Sequence, residues 1–360
     1  MSTSSLSAIE FSLPPELEAS EPPEARGLER DQVRLMVSNY STDRVRHTHF
    51  HHFHEYLSEG DVLVINTSRT RNSALIASRD DQTVVELHLS THFDDDLWTV
   101  EVRAIDELGK TKHLDNVHEG EMLGLPGTAF AILLKPYVSD CNDNSKPSEI
   151  LWLAKIDFPQ GHEVDDYLAQ HGFPIRYNYV KEKWSLDYYQ TIYATESGSA
   201  EMPSAGRPFT SELLHRLASN GIQIAPLILH TGVSNLETHE PPYKEFYRVT
   251  PETAGIVNTA RISGHRIVAV GTTAIRTLET VTNGDGETHA GEGWTCLVIE
   301  PQHRLRAVNA LLTGMHEPEA SHLAILQALA GLPHIRIAYQ QALSEGYLWH
   351  EFGDLHLILP

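Results

Sequence analysis

At 360 residues, 41% of them apolar, the chain is long enough for two domains and can bury a sizeable core, and its composition does not suggest disorder. Asp and Glu number 49 against 27 Lys and Arg, a formal charge of −22 that repels polyanions at long range and argues against indiscriminate nucleic-acid binding, though not against a local basic patch. The two cysteines, Cys141 and Cys296, make neither a disulfide framework nor a multi-thiolate metal site. With no secretory signal and no membrane-length apolar run, a reducing cytoplasm is the expected compartment.

The first forty residues are rich in Pro and Glu and lead to a strand-like segment at 33–37. Residues 47–57 read as a short helix, and the Gly60-Asp61 turn opens a buried strand over 61–68. From 61 to 157 the pattern is short strands and turns. The best strands are 83–90, 98–105, 128–138 and 149–156, with a polar loop at 139–149. Short strands without long helices predict a small barrel or sandwich.

After residue 161, apolar strands alternate with amphipathic helices. Helices are predicted over 211–221, ended by Gly221, then 251–264, 272–281, 319–331, closed by Gly331, and 337–347. Strands are predicted over 222–230 and 265–271, and 288–293 reads as an exposed loop. This alternation predicts a mainly parallel, two-sided sheet. The expected fold class is an α/β main domain (1–60 and 158–360) with an inserted all-β, barrel-like domain (61–157).

Five stretches carry candidate chemistry. Gly271, Thr272 and Thr273 sit where a strand runs into a helix, with Arg276 one turn in. Free amides and the helix dipole favour an anion there, and Arg276 can pair with a carboxylate or phosphate; an ordinary capped helix is the plainer alternative. Tyr189, Gln190 and Thr191, followed by Ser204, Ala205, Gly206, Arg207, Phe209 and Thr210, form loops of the kind that bind ligands at a sheet edge, or simply a Pro/Gly turn. Thr313 and His316 precede Pro318, which suits a first helical turn. A helix N-terminus favours neutral imidazole there, so His316 is a candidate base or hydrogen-bond donor, or else a structural histidine. Five histidines over 47–54 look metal-like, but several must point apart; a solvated face with Phe50 and Phe53 in the core is the expectation. Residues 173–184 interleave Arg176, Lys181 and Lys183 with aromatics, a pattern that grips a single-stranded loop or packs on the sheet.

In this order the pieces resemble the S-adenosylmethionine:tRNA ribosyltransferase-isomerase family of queuosine synthesis, of which the chain looks like a diverged member. The resemblance is carried by YQTIY at 189–193, PSAGRPFT at 203–210, GTTAIRTLE at 271–279, VNALLTGMHEPEASHL at 308–323, YLWHEFGD at 347–354 and LSEGDVLVINTSRTRNSAL at 57–75. It implies an α/β fold with an inserted barrel. It also implies transfer and isomerisation of ribosyl from S-adenosylmethionine onto 7-aminomethyl-7-deazaguanine in a tRNA anticodon loop. S-adenosylmethionine is then the substrate, and no metal is needed. The implied catalytic residues are His316, Glu245, His230 and Tyr243, and the loops above bind substrate. The chain departs from the family at Arg207-Pro208, where the family has Leu-His, at 230–236 after His230, at Tyr243-Lys244-Glu245-Phe246, and at Gly314-Met315. Three readings follow: the reaction on tRNA; action on a small-molecule acceptor, or elimination or cyclisation of the sulfonium compound alone; and a non-catalytic S-adenosylmethionine-binding protein. The oligomeric state is left open.

Overall fold

The computed structural model describes residues 9, 11–94, 96–141, 146–159, 163–233 and 243–360. They fall into two compact units. One takes the chain up to Thr67 together with Pro203–Ile228 and Tyr247–Pro360; the other takes Ser68–Met202 and Leu229–Phe246.

The chain begins in the first unit with strands β1 (Arg34–Asn39), β2 (Arg44–His49) and β3 (Val62–Asn66). The second unit follows with β4 (Ser68–Thr70), β5 (Ala74–Ser78), β6 (Val84–Asp94), β7 (Leu97–Ile105), β8 (Thr111–His113), β9 (Met122–Gly124), β10 (Phe130–Val138), β11 (Pro147–Asp157), helix α1 (Val164–His171) and β12 (Glu196–Ser199). The remainder is α2 (Ser211–Ser219), β13 (Gln223–Leu229), β14 (Glu245–Val249), α3 (Pro251–Ile262), β15 (Ile267–Val270), α4 (Thr272–Val281), β16 (Gly291–Thr295), β17 (Ala310–Gly314), α5 (His322–Ala330), α6 (Leu332–Ser344) and β18 (Leu355–Leu359).

The large sheet has the order β16-β14-β13-β3-β15-β17-β18-β1-β2. Its centre is parallel: β13 pairs with β3, β3 with β15, and β15 with β17. β17 meets β18 antiparallel, and β1 meets β2 antiparallel, so the edge is mixed. Helices α3 and α4 pack on β15 and β3. Every residue of β3, β15 and β17 is buried, as a parallel strand covered on both faces must be. That burial places β3 in the large sheet, although the sequence pattern assigns it to the insertion.

One buried carboxylate ties the amino ends of β3 and β15 together. Asp61 accepts from the backbone N–H of Ser58 (2.8 Å) and of Arg266 (3.0 Å), and from Arg266 Nε (2.9 Å). Gly60 beside it has φ +87°, and a Cβ there would lie 2.3 Å from the His265 ring, so only glycine fits this turn.

In the second unit β5, β6, β7, β11, β10 and β9 close into a six-stranded antiparallel barrel through the β11–β7 pairing, and β8 extends from β7. Alternate residues point inward, as in Val85, Leu87 and Leu89 of β6 and Trp98, Val100 and Val102 of β7. Tyr167 and Leu168 of α1 join this core, and for that reason the unit continues past residue 157. β4 and β12 form a separate parallel pair.

Local departures from the sequence pattern have physical reasons. Residues 47–49 pair with β1 as strand, and only Phe50–Tyr56 is helical, as a 3-10 turn. Phe50 and Phe53 are fully buried and stacked at 5.3 Å, as expected. β16 begins at Gly291, inside the expected loop, and α6 starts at Leu332, with Pro333 in its first turn. The expected loop at 139–149 lies partly outside the described residues, as does Gly161; its end, from Pro147, belongs to β11. Neither cysteine is a free thiol, which a count of two does not foretell. No described helix is long and apolar enough to cross a membrane.

Asp61→Ala is expected to lower unfolding free energy by about 1–3 kcal/mol, because it leaves the partly buried Arg266 guanidinium and the backbone amides of Ser58 and Arg266 without their acceptor. Urea denaturation with an unchanged m-value reads this directly; a loss under about 1 kcal/mol would refute the tie.

Candidate functional site

Because β15 and β17 run parallel, their carboxyl ends open at the same edge of the sheet. Gly271 follows β15 with φ +83° and caps α4 without a side-chain bond, so neither Thr272 nor Thr273 serves as the cap. The Thr273 hydroxyl is buried and has no hydrogen-bond partner. Thr272 is buried in the first turn. The 3-10 turn Ser204–Gly206 lies against β17, with Ala205 Cβ 3.8 Å from where a Gly271 Cβ would stand and Ser204 Oγ 3.8 Å from the equivalent point at Gly314. Arg276 is buried, and its Nε donates to the Leu297 carbonyl at 3.0 Å.

His316 follows β17. Its Nε2 lies 2.7 Å from the buried hydroxyl of Thr313, its backbone N–H donates to Tyr339 Oη (3.3 Å), and its carbonyl accepts from Trp349 Nε1 (3.0 Å). Glu319 has φ +66°, and α5 begins only at His322, so Pro318 does not open the helix and His316 is not at its N-terminus. The ring is neutral for a different reason. Burial pushes its pKa well below the ordinary value, and His322, His350 and His356 push it the same way. The His322 ring stacks on His316 at 4.6 Å and 3°, and burial, helped by Arg276, pushes it down to about 4. Thus Arg276, His322, His316 and Thr313 form one neighbourhood.

Three predicted binding residues of the same loop are engaged inside the fold. Arg207 is buried, donates through Nη2 to both oxygens of Glu24 (3.0 and 2.8 Å) and lies over the Phe352 ring. Phe209 is fully buried edge-on against Phe50 and Phe53. Thr210 caps α2 by accepting from Leu213 N–H at 3.2 Å.

The remaining predicted residues belong to the second unit. Gln190 clamps the backbone of Thr70, accepting from its N–H (3.1 Å) and donating to its carbonyl (2.7 Å). Tyr189 is buried, and the Thr191 and Thr70 hydroxyls are buried without hydrogen-bond partners. His230 Nδ1 lies 2.8 Å from Ser68 Oγ, and its ring stacks on Phe246 at 5.6 Å. Glu245 is buried and accepts from the Gly232 N–H at 3.0 Å. Tyr243 Oη bonds Ser148 Oγ at 3.0 Å and packs edge-on to Tyr137. Glu245 and Tyr243 therefore sit in the second unit, and His316 in the first. Of the 230–236 loop, residues 234–236 lie outside the described residues.

In the segment 173–184, Tyr177 and Tyr179 stack at 5.7 Å and Lys183 lies over the Phe173 ring. Arg176 donates to the carbonyls of Val180 (2.9 Å) and Gly109 (3.2 Å), so its charge is used to fold the segment.

The structure thus combines a mixed α/β sheet, parallel at its centre with polar loops at the carboxyl ends of β15 and β17, and a closed antiparallel barrel in a second unit. A family model described as queuosine biosynthesis protein matches residues 6–358. Curated S-adenosylmethionine:tRNA ribosyltransferase-isomerases from Desulfitobacterium hafniense and Symbiobacterium thermophilum are 36% and 37% identical to the chain, over 98% of it and 99% of each of them. A solved structure of S-adenosylmethionine tRNA ribosyltransferase from Thermotoga maritima is similar with a TM-score of 0.53 and 31% identity, covering 98% of this chain and 99% of that one. The chain belongs to the S-adenosylmethionine:tRNA ribosyltransferase-isomerase family.

The buried histidines predict acid sensitivity. His356 is fully buried, and burial pushes it down to about 3 from an ordinary 6.5. The unfolded chain binds a proton there from about pH 6.5 downward while the folded chain does not, so this stabilisation is complete above pH 6.5 and is lost as pH falls toward 3. Each such histidine contributes a slope of up to about 1.4 kcal/mol per pH unit. The urea midpoint should fall between pH 7.5 and pH 5, and less so in His356→Gln. A pH-independent midpoint would contradict this.

Proposed function

We propose that the chain transfers the ribosyl group of S-adenosylmethionine to the aminomethyl group of 7-aminomethyl-7-deazaguanine in a tRNA anticodon loop. The ribosyl is isomerised to an epoxide-bearing cyclopentane, and adenine and methionine leave. The observation that carries this reading is the near full-length family membership combined with the loops of Gly271–Arg276 and Thr313–His316 meeting at one sheet edge.

The chemistry suits what stands there. The sulfonium acidifies the neighbouring 5′ carbon, so a neutral base can start the reaction, and the neutral sulfide is then a good leaving group. His316 is neutral and is held by bonds to its backbone on both sides, as a positioned base requires. Arg276 at α4 suits the methionine carboxylate, with Thr272 and the buried Thr273 hydroxyl as further binding groups. In the second unit, His230, Glu245, Tyr243, Gln190 and Thr191 are assigned to substrate, with Thr191 offering a buried hydroxyl that has no protein partner. Lys181 and the stacked tyrosines of 177–179 suit a single-stranded anticodon loop despite the overall acidity. The protein's part is positioning and proton control, so no metal or redox group is called for. The cytoplasm, where tRNA is modified, is the compartment this reading assigns.

Arg276→Ala should weaken S-adenosylmethionine binding by about 1.5–3 kcal/mol in calorimetry, the loss of a charge-assisted pair; an unchanged affinity would remove the carboxylate assignment. His316→Ala should lower kcat by about two to four orders of magnitude with little change in KM. Near wild-type turnover in His316→Asn, which keeps much of the hydrogen bonding, would show that His316 only fixes the turn.

A further inference from the structure

The barrel of the second unit carries a buried carboxylate on its outer wall that the proposed reaction does not otherwise use. Val85 and Leu87 of β6 point into the barrel, so Glu86 and His88 point out of it. Both are nevertheless buried, and across the sheet they face Arg103 and Glu101 of β7. Glu86 Oε1 lies 2.7 Å from His88 Nε2, and His88 Nδ1 lies 3.6 Å from Glu101 Oε2. Burial pushes the His88 pKa down, but Glu101 and Glu86 on its two sides outweigh this and raise it. Among the described residues the Glu86 side chain makes no other bond, so its second oxygen is unpaired.

The segment 176–181 and the turn between β7 and β8 cover this wall. Asn178 accepts from the Thr111 N–H (3.0 Å) and donates to its carbonyl (2.8 Å), and Arg176 donates to the Gly109 carbonyl. They leave a pocket of about 140 Å³ whose lining includes Glu86, Leu108, Lys110, Arg176, Tyr177 and Lys181, all of the second unit. One water occupies about 30 Å³ and a drug-sized ligand needs at least about 300 Å³, so the pocket suits a single ring-sized group. Lys110 and Lys181 are exposed and, among the described residues, have no carboxylate partner.

This lining selects its ligand. An ionised carboxylate only accepts, so it takes N–H donors and repels lone pairs. A free phosphate would meet Glu86, and a simple amine would meet three cations. A guanine nucleotide satisfies both: its Watson–Crick edge carries two adjacent donors, N1–H and the 2-amino group, and its phosphates are anionic. Adenine, cytosine and uracil each set an acceptor beside their donor, which the carboxylate repels. Leu108 and Tyr177 add apolar surface for the ring. We propose that this pocket binds a guanine nucleotide of a single-stranded RNA loop, with Glu86 accepting from the base edge and Lys110 and Lys181 pairing with flanking phosphates. The RNA as source rests on the function proposed above; the guanine nucleotide chemistry does not.

The test uses the full chain and an anticodon stem–loop RNA with one guanine in its loop. With 6-thioguanine at that place, which keeps both donors, irradiation should cross-link the RNA to residues 108–111 or 176–181, as mapped by mass spectrometry. Cross-links confined to other segments overturn the proposal, and this measurement needs no variant to fold. In fluorescence anisotropy the guanine loop should bind about tenfold tighter than the same RNA with adenine, the worth of one good bidentate base contact, and Glu86→Gln should remove the preference. A preference kept in full by Glu86→Gln overturns the role of the carboxylate. Lys110→Ala and Lys181→Ala should weaken both RNAs alike and each reduce the salt slope by about one; unchanged slopes overturn the phosphate pairing. GMP should compete with the RNA where AMP does not, and GMP bound alongside the RNA would overturn the assignment to RNA. A chain that meets these expectations yet transfers no ribosyl would defeat the functional reading alone.

Discussion

Parallel pairing of β15 with β17, and of β15 with β3, is the constraint on which the first unit's chemistry depends. Fourteen residues in three short strands are buried without exception, which only a sheet covered on both faces achieves. Parallel direction then forces the carboxyl ends of β15 and β17 to the same edge, where Gly271 turns into α4 and Gly314 leads to His316. The Ser204–Gly206 turn packs at that edge, with Ala205 and Ser204 within van der Waals reach of Gly271 and Gly314. Asp61 secures the opposite ends of β3 and β15. A shift of one residue in this pairing would move the loops against one another and separate Thr313 from the turn it faces.

The histidines of the two units stand in different surroundings. In the first, imidazoles are crowded together and kept from water, so His316, His322, His350 and His356 are all driven toward the neutral form. In the second, the His230 ring lies 2.8 Å from the buried Ser68 hydroxyl and stacks on Phe246.

The fold was legible in the sequence wherever burial followed a period. A run of short strands without long helices marked the barrel, and the αL-tolerant Gly221 and Gly331 marked helix ends, with φ of +76° and +79°. β3 was harder, because a short run of Val, Leu and Ile does not declare which sheet will bury it. His316 was found, but its setting was not: Pro318 suggested a helix that Glu319, in a left-handed conformation, delays until His322. Arg207 and Phe209 sat in a loop that looked open, yet their partners Glu24 and Phe50 come from more than 150 residues earlier, beyond the reach of local pattern. Ser68, Ser199 and Glu196 carried no spacing signal at all; they are gathered around His230 only by the pairing of β4 with β12.

The central claim is that this chain alters a deazaguanine in tRNA and not a free small molecule. Its most direct test is mass spectrometry of nucleosides from tRNA bearing 7-aminomethyl-7-deazaguanine, after incubation with the purified chain and S-adenosylmethionine. The account predicts that the deazaguanosine gains the mass of the rearranged ribosyl group, with one adenine released per modified tRNA. Unmodified tRNA alongside adenine release that proceeds equally well without it would contradict the account.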